Sequence, residues 1–437
     1  MIRISTSMIF NQGVTNMQAR SVELAKTQNQ LSNSRRILTP SDDPIASARS
    51  LEIEQSQSIN LQYQRNTASA STSLSLSENT LTTATTLLQD VKTIAVNAGN
   101  GALSSNELKS IGSDLRARYQ ELIGLANATD GNGQYLFSGY QGSTKPFAET
   151  APGTVAYFGD QGSRLTQITA SRQIPVSDSG GDVFQLVKNG NKTFATAATG
   201  ANTGTAVISP GEVIDPTKWN VAGNSKNFTV KFSVDTQVPP VTTYDIVDNV
   251  SGFSLLTGVA AAVTGPYLRT YTDAGNISLK TQAPPDTNAT PFDYGAQLAV
   301  KGSPATGDTF TVKASTNVDV FATIYSLITA VETATDNPAG NAALANKLNS
   351  AMTDVDNSLD NVLRVRATIG SRLNEVDTAT SSSQDLVVQY QSTLSGLRDL
   401  DYAKAISDLT QQQMVLQAAQ QSFAKIQTLS LFNYLQL

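Results

Sequence analysis

The 437-residue chain contains neither histidine nor cysteine. That removes the commonest general base and transition-metal ligand, together with thiol nucleophiles, thiolate metal sites and disulfides. Chemistry would have to run on carboxylates, lysines or hydroxyls. Asp42 and Asp43 form an adjacent carboxylate pair, but no spaced partner accompanies them. Ahead of Pro44 they are better explained as the cap of a helix, whose free N–H groups and positive end favour them. Asp354, Asp356 and Asp360 share a helical stretch and lack the glycine turn and closing glutamate of a calcium loop. The run DGNG at residues 130–133 lacks the Lys-Ser/Thr of a phosphate loop. Arg364, Arg366 and Arg372 lie at mixed angles on one helix and read as a solvated face. No constellation for turnover emerges and no cofactor or metal is implied, so the sequence argues against an enzyme.

Composition narrows the partners. Charged residues make up only 15%, the net charge is −6 and no basic tract stands out, which disfavours a nucleic acid. The opening MIRISTSMIFNQG has no apolar run of signal-peptide length, and no stretch approaches the roughly twenty apolar residues of a membrane helix. The expectation is a protein that stays in the cytoplasm or is exported without a cleaved signal, and that does not insert into a membrane.

What the chain offers instead is seams. Met17, Leu24, Leu31 and Leu38 recur every seventh residue, a narrow stripe of coiled-coil type that is marginal without a partner helix. The stretch LSNSRRILTPSDDP, residues 31–44, reads as a stop, a turn and a restart: Pro40 bars helical geometry at Thr39, and Pro44 suits a first helical position. From Ile45 to about Ala98 there is no Pro or Gly, and Leu74, Leu81 and Leu88 repeat with Ala84, Val91 and Ala98 beside them. A further helix from about Ser105 to Thr129 is capped by Ser104 or Ser105. Residues 134–139, QYLFSG, look like a short strand opening a hairpin.

After about Gly142 the composition turns to Gly, Thr, Asn, Ala and Pro, with period-two runs at residues 228–234, 244–247, 277–279 and 310–312. Residues 283–291 read as a loop. Helix returns near Val318 with Phe321, Ile324, Leu327, Ile328 and Val331 on one face, and breaks at Asp336-Asn-Pro338. A strict heptad follows in Leu348, Val355, Val362, Ile369 and Val376, predicted to pack on the 74–126 helices. The last segment carries Tyr402, Leu409, Leu416 and Phe423, with Ala419 and Ile426 offset by three. Its polar positions are mostly Gln, suited to half-burial against polar surface or to a neutral wet channel, or simply to a plain amphipathic helix. The predicted fold class is multidomain α plus β: an elongated helical coiled-coil bundle, made from both ends of the chain, carrying a β-rich insertion.

Five of these stretches, in this order, resemble the flagellin-like axial proteins of the bacterial flagellum. Residues 24–44 are similar to that family's terminal helix and connecting spoke, residues 87–101 (LLQDVKTIAVNAGNG) to its long core helix, and residues 132–139 to its core hairpin. Residues 361–374 (NVLRVRATIGSRLN) and 428–435 (TLSLFNYL) complete the set; the middle of the chain has no equally specific likeness. Within the family, the opening MIRISTSMIF, the spoke's Ser-Asp-Asp-Pro and the closing Phe-Asn-Tyr favour a subunit of the hook–filament junction over a filament subunit.

The resemblance implies a secreted flagellar protein, exported unfolded by the flagellar type III route. It implies terminal segments that fold on assembly, and as partners flagellin, the hook-proximal junction protein, copies of itself in a ring, and an export chaperone at the C-terminal helix. The division expected is 1–44, N-terminal assembly helix and spoke; 45–141, core bundle with hairpin; 142–315, β-rich variable insertion; 316–381, the returning core bundle; and 382–437, C-terminal assembly helix. The assembly seam is then Met17, Leu24 and Leu31 with Leu409, Leu416, Phe423 and Ile426. The spoke contacts between subunits are Arg35, Arg36, Asp42 and Asp43, and the bundle core is Leu81, Leu88 and Val91 with Val355, Val362 and Ile369. A filament-forming flagellin, or a flagellar protein whose insertion is an adhesin, are the alternatives.

Overall fold

A computed structural model describes the backbone of residues 6–432 and the side chains of residues 7–425. The opening five residues, the Ile426 side chain and the side chains of the 428–435 motif fall outside the described residues. Seven α-helices are present among the described residues: α1 (Thr6–Asn33), α2 (Pro44–Ala98), α3 (Ser105–Ala126), the single turn α4 (Pro216–Trp219), α5 (Val320–Glu332), α6 (Pro338–Arg398) and α7 (Tyr402–Phe432). The chain forms two compact units. A terminal unit gathers the chain up to residue 68, residues 168–170 and the chain from residue 378; a core unit holds residues 69–167 and 171–377. The two long helices α2 and α6 contribute to both. The position expected to open a C-terminal helix, residue 382, lies inside α6, which runs unbroken to Arg398. The break falls at Asp399–Asp401, because nothing in 377–398 interrupts a helix: there is neither Pro nor Gly until Gly396.

In the core unit the predicted heptads close on each other. Leu81, Leu88, Val91, Val355, Val362 and Ile369 are each at most 1% exposed. Lys92 pairs with Asp356 at 2.6 Å and Glu78 with Arg366 at 2.7 Å, so α2 and α6 run antiparallel. Arg366, and Arg372 in its pair with Asp178, are therefore tied down rather than merely solvated. Ser104 caps α3 in a reciprocal box with Glu107, and α3 packs on α5.

Residues 134–139 are not a strand. They form turns with isolated bridges from Tyr135 to Thr129 and from Ser138 to Ser179. Gly139 at φ +70° ends any extended run. Phe137 drops into an aromatic cluster, edge-on to Phe184 at 5.5 Å, so its burial directs the segment inward instead of along a sheet.

The four period-two runs all lie in strands. An antiparallel five-stranded sheet has the order Arg269–Thr270, Thr242–Asp248, Asn227–Val234, Thr309–Ala314, Phe194–Ala198. A second sheet is built on Asp293–Lys301, flanked by Asn276–Lys280 and Val207–Ile208. Trp219, Phe228, Phe232 and Phe310 fill the core between them. Asn346 and Asn357 on α6 hold this β-rich part by its backbone. Asn346 accepts from Ile208 N–H at 2.8 Å and donates to the Ala206 carbonyl, and Asn357 donates to the carbonyls of Lys188 and Gly190.

Candidate assembly surface at the terminal helices

Within the terminal unit α1 and α7 lie antiparallel. At one end the Phe10 and Phe423 rings stand 5.2 Å apart, and at the other the hydroxyls of Ser34 and Tyr402 are hydrogen bonded. Gly13 permits this approach, since a Cβ there would sit 2.9 Å from Phe423 Cδ2. Phe423 meets α1 in this way, and Met17, Leu24, Leu31, Leu409, Leu416 and Phe423 are each only half-buried. Among the described residues of these two helices only Thr27 and Ala405 are buried. Apolar side chains also point away from the seam, among them Met8, Ile9, Ile406, Val415, Val22 at 69% exposure and Met414 at 59%. The pair is a two-helix layer with apolar surface left exposed.

The spoke between α1 and α2 is a set of carboxylate cradles. Asp42 accepts the backbone N–H groups of Leu38 and Thr39 at 3.0 and 2.9 Å and pairs with Lys26 at 2.7 Å. Asp43 caps α2 by accepting from Ala46 N–H at 3.0 Å, with Pro44 in the first helical position as expected. Arg36 reaches the other Asp43 oxygen at 3.1 Å. The Lys26 ammonium, helped by the two backbone N–H groups, holds the Asp42 carboxyl well below the usual carboxylate range. The Ala46 N–H and then Arg36 lower Asp43 in the same way.

Of the four spoke residues singled out in the sequence, Arg36, Asp42 and Asp43 spend their charge on partners in their own chain. Arg35 stays exposed, with its backbone bridged to Asp399. Sequence reasoning missed the other side of this joint. Asp401 caps α7 by accepting from Lys404 N–H at 3.1 Å, and Arg398 pairs with Glu54, whose carboxyl it lowers. The signal was available in Asp399-Leu-Asp401 before an apolar-periodic run, the same capping chemistry as Asp42-Asp43. Among the described residues no group of three or more carboxylates could hold a metal ion, and no helix is long and apolar enough to cross a membrane.

Comparison with known proteins bears on both ends and on the middle. Residues 4–142 match the bacterial flagellin N-terminal helical region and residues 352–435 match the bacterial flagellin C-terminal helical region. The flagellar hook-associated protein 3 of Salmonella typhimurium is 27% identical over 435 residues, covering 99% of both chains. The crystal structure of Xanthomonas campestris FlgL aligns at a TM-score of 0.65 and 27% identity over 78% of this chain and 99% of that one. The flagellar junction protein FlgL of Legionella pneumophila aligns at 0.66 and 25% identity over 80% of this chain and 100% of that one. With the flagellin helical regions at both ends, the antiparallel terminal pair and the β-rich insertion between them, the chain belongs to the flagellin-like family of flagellar axial proteins, similar along its whole length to hook-associated protein 3.

Proposed function

We propose that the protein is a non-catalytic structural subunit at the junction between flagellar hook and filament, and that α1 and α7 are the surface through which it enters the axial structure. The observation that carries this reading is collinearity with a hook-associated protein 3 across 99% of both chains, insertion included. The half-covered seam supports the location of the surface. Met17, Leu24 and Leu31 with Leu409, Leu416 and Phe423 hold the pair together without closing a core, and neighbouring copies complete the burial. On this reading the chain is secreted and forms a ring with copies of itself. It meets the hook-proximal junction protein on one side and flagellin on the other, and its C-terminal helix is held by a chaperone before export. Arg35, exposed on the spoke, is the candidate among the four spoke residues for a contact between subunits.

Deletion of the gene tests the proposal. Cells lose filaments and shed unpolymerised flagellin, the full chain restores both, and a chain starting after residue 38 restores neither. A truncated chain that builds working junctions would sink the role given to α1. Purified chain that polymerises alone into long filaments would replace the junction reading with a filament subunit.

A further inference from the structure

Glycine follows asparagine three times in the chain, at Asn100-Gly101, Asn132-Gly133 and Asn189-Gly190. Such a pair carries a latent reaction of its own. The glycine amide nitrogen can reach the side-chain carbonyl carbon of the asparagine before it, and no Cβ hinders the approach. Attack needs two freedoms. The nitrogen must give up its proton and swing onto Cγ, and the asparagine side chain must turn towards it. The three pairs share this chemistry and differ in how the fold holds them.

Asn189 and Gly190 are held on both sides. Asn189 Oδ1 accepts from the Ser315 hydroxyl at 3.1 Å and from Thr316 N–H at 2.8 Å. Gly190 is buried and its N–H donates to Asp354 at 2.8 Å. Asn132 and Gly133 are exposed, but the Gly133 N–H donates to the Asp130 carbonyl at 3.0 Å. The Asp130 carboxylate also accepts the N–H groups of Asn132 and Gln134 at 2.9 and 2.8 Å, and its charge opposes an anionic nitrogen beside it. Asn100 and Gly101 lie in the loop between α2 and α3, both exposed, and a Cβ on Gly101 would meet nothing within 4 Å. Among the described residues the Gly101 N–H has no acceptor. Asn100 Oδ1 accepts from Ala102 N–H at 3.2 Å, which closes a ring containing the Gly101 nitrogen. That bond folds the side chain over the nitrogen and draws electron density away from Cγ.

We propose that Asn100 is a site of spontaneous deamidation, the first of the three pairs to react. The Gly101 nitrogen gives its proton to water or hydroxide and bonds to Asn100 Cγ. The tetrahedral carbon then expels the side-chain nitrogen, which takes a proton from water and leaves as ammonia. Water opens the resulting five-membered imide at either carbonyl, giving aspartate or isoaspartate. The balance is one water in and one ammonia out, with no oxidant or cofactor, and one negative charge is added to a chain of net charge −6. Both products bear on the turn. The new carboxylate stands two residues beyond the end of α2, whose last carbonyls already present partial negative charge. The isoaspartate adds a carbon to the main chain where the Asn100 carbonyl accepts Leu103 N–H at 3.1 Å. The reaction involves the core unit alone and does not depend on the junction reading.

Peptide mapping by mass spectrometry, on the full chain held at mildly alkaline pH in heavy-oxygen water, tests this. Asn100 gains the mass of deamidation with heavy oxygen incorporated, and aspartate and isoaspartate both appear there. It converts roughly ten-fold faster than Asn132, the factor that one backbone hydrogen bond sets, while Asn189 stays intact. In denaturant the three rates converge, because only the fold separates them. Gly101→Ala, which the open space accommodates, slows Asn100 below Asn132. Asn132 or Asn189 reacting as fast as Asn100 in the folded chain overturns the proposal. So does a rate order that persists unchanged in denaturant, or conversion of Asn100 that Gly101→Ala leaves undiminished.

Discussion

α2 and α6 run through both units and are built differently in each. In the core unit α2 buries Leu74, Leu81, Leu87, Leu88 and Val91, and α6 buries Leu348, Val355, Val362, Ile369 and Val376. In the terminal unit the same two helices bury Ala46, Ser50, Asn60 and Thr67 on one side, Ala379 and Ser383 on the other. Within the terminal unit no large apolar side chain of α1, α2, α6 or α7 is buried among the described residues. Burial of apolar area stabilises by about 25 cal/mol per Å², so a seam of small and polar residues adds little. It also costs: the Ser50 hydroxyl is enclosed without a partner. What the terminal seam supplies is register. Asn60 donates to the Ser383 carbonyl at 2.7 Å and accepts from the Ser383 hydroxyl at 2.8 Å, and a buried polar pair fixes how two helices align where the apolar contacts would not. The contrast teaches that one unit carries its own core while the other carries alignment and leaves its core to be completed.

The contrast can be broken at its largest point by placing a charge in the terminal seam. Leu416→Asp or Phe423→Asp abolishes incorporation into the flagellum, while the melting of the purified chain, governed by the core unit, changes little. A large fall in melting temperature would mean the terminal pair contributes to a closed core after all. Next in size is truncation inside the core seam. Leu81→Ala or Ile369→Ala costs about 2–5 kcal/mol, since each side chain is fully enclosed and leaves a cavity. Calorimetry should show the melting temperature fall by several degrees, and a loss as small as that of a surface substitution would contradict the closed core.

The smallest effect is acid-driven. Asp42, Asp43 and Glu54 have carboxyls lowered by Lys26, by the Ala46 N–H and Arg36, and by Arg398 respectively. A lowered carboxyl contributes stability that is present above its ordinary value and is lost as pH falls through the lowered one. The joint should therefore hold from neutral pH down to about pH 4 and loosen only below that. The distance between spin labels on cysteines introduced by Gln18→Cys in α1 and Gln62→Cys in α2, both exposed positions, measures this. Loosening already near pH 6 would show that these carboxylates are not what holds it.

Much of this architecture was legible because it repeats. Leu348, Val355, Val362, Ile369 and Val376 face one direction on a helix, so their burial follows from spacing alone, and the period-two runs behave likewise in the sheets. The joint was only half legible. Asp43 and Pro44 announce a helix start locally, and so they were found. Arg36 to Leu397 spans 361 residues and ends on a carbonyl, an acceptor that every residue owns and no side-chain pattern marks. Asn346 and Asn357, which also bond to backbone, were invisible for the same reason. Residues 134–139, with the apolar run Tyr-Leu-Phe, look like a short strand, but Phe137 found more burial among aromatics than a sheet edge offered.

Hydrogen exchange of the full chain, before and after incorporation into the flagellum, tests the central claim most directly. The account predicts that amides of α1 and α7 exchange quickly in the free chain and slow by orders of magnitude on assembly, whereas those of residues 74–98 and 348–376 are protected in both states. Terminal helices as protected in the free chain as the core seam, or no slower after assembly, would contradict it.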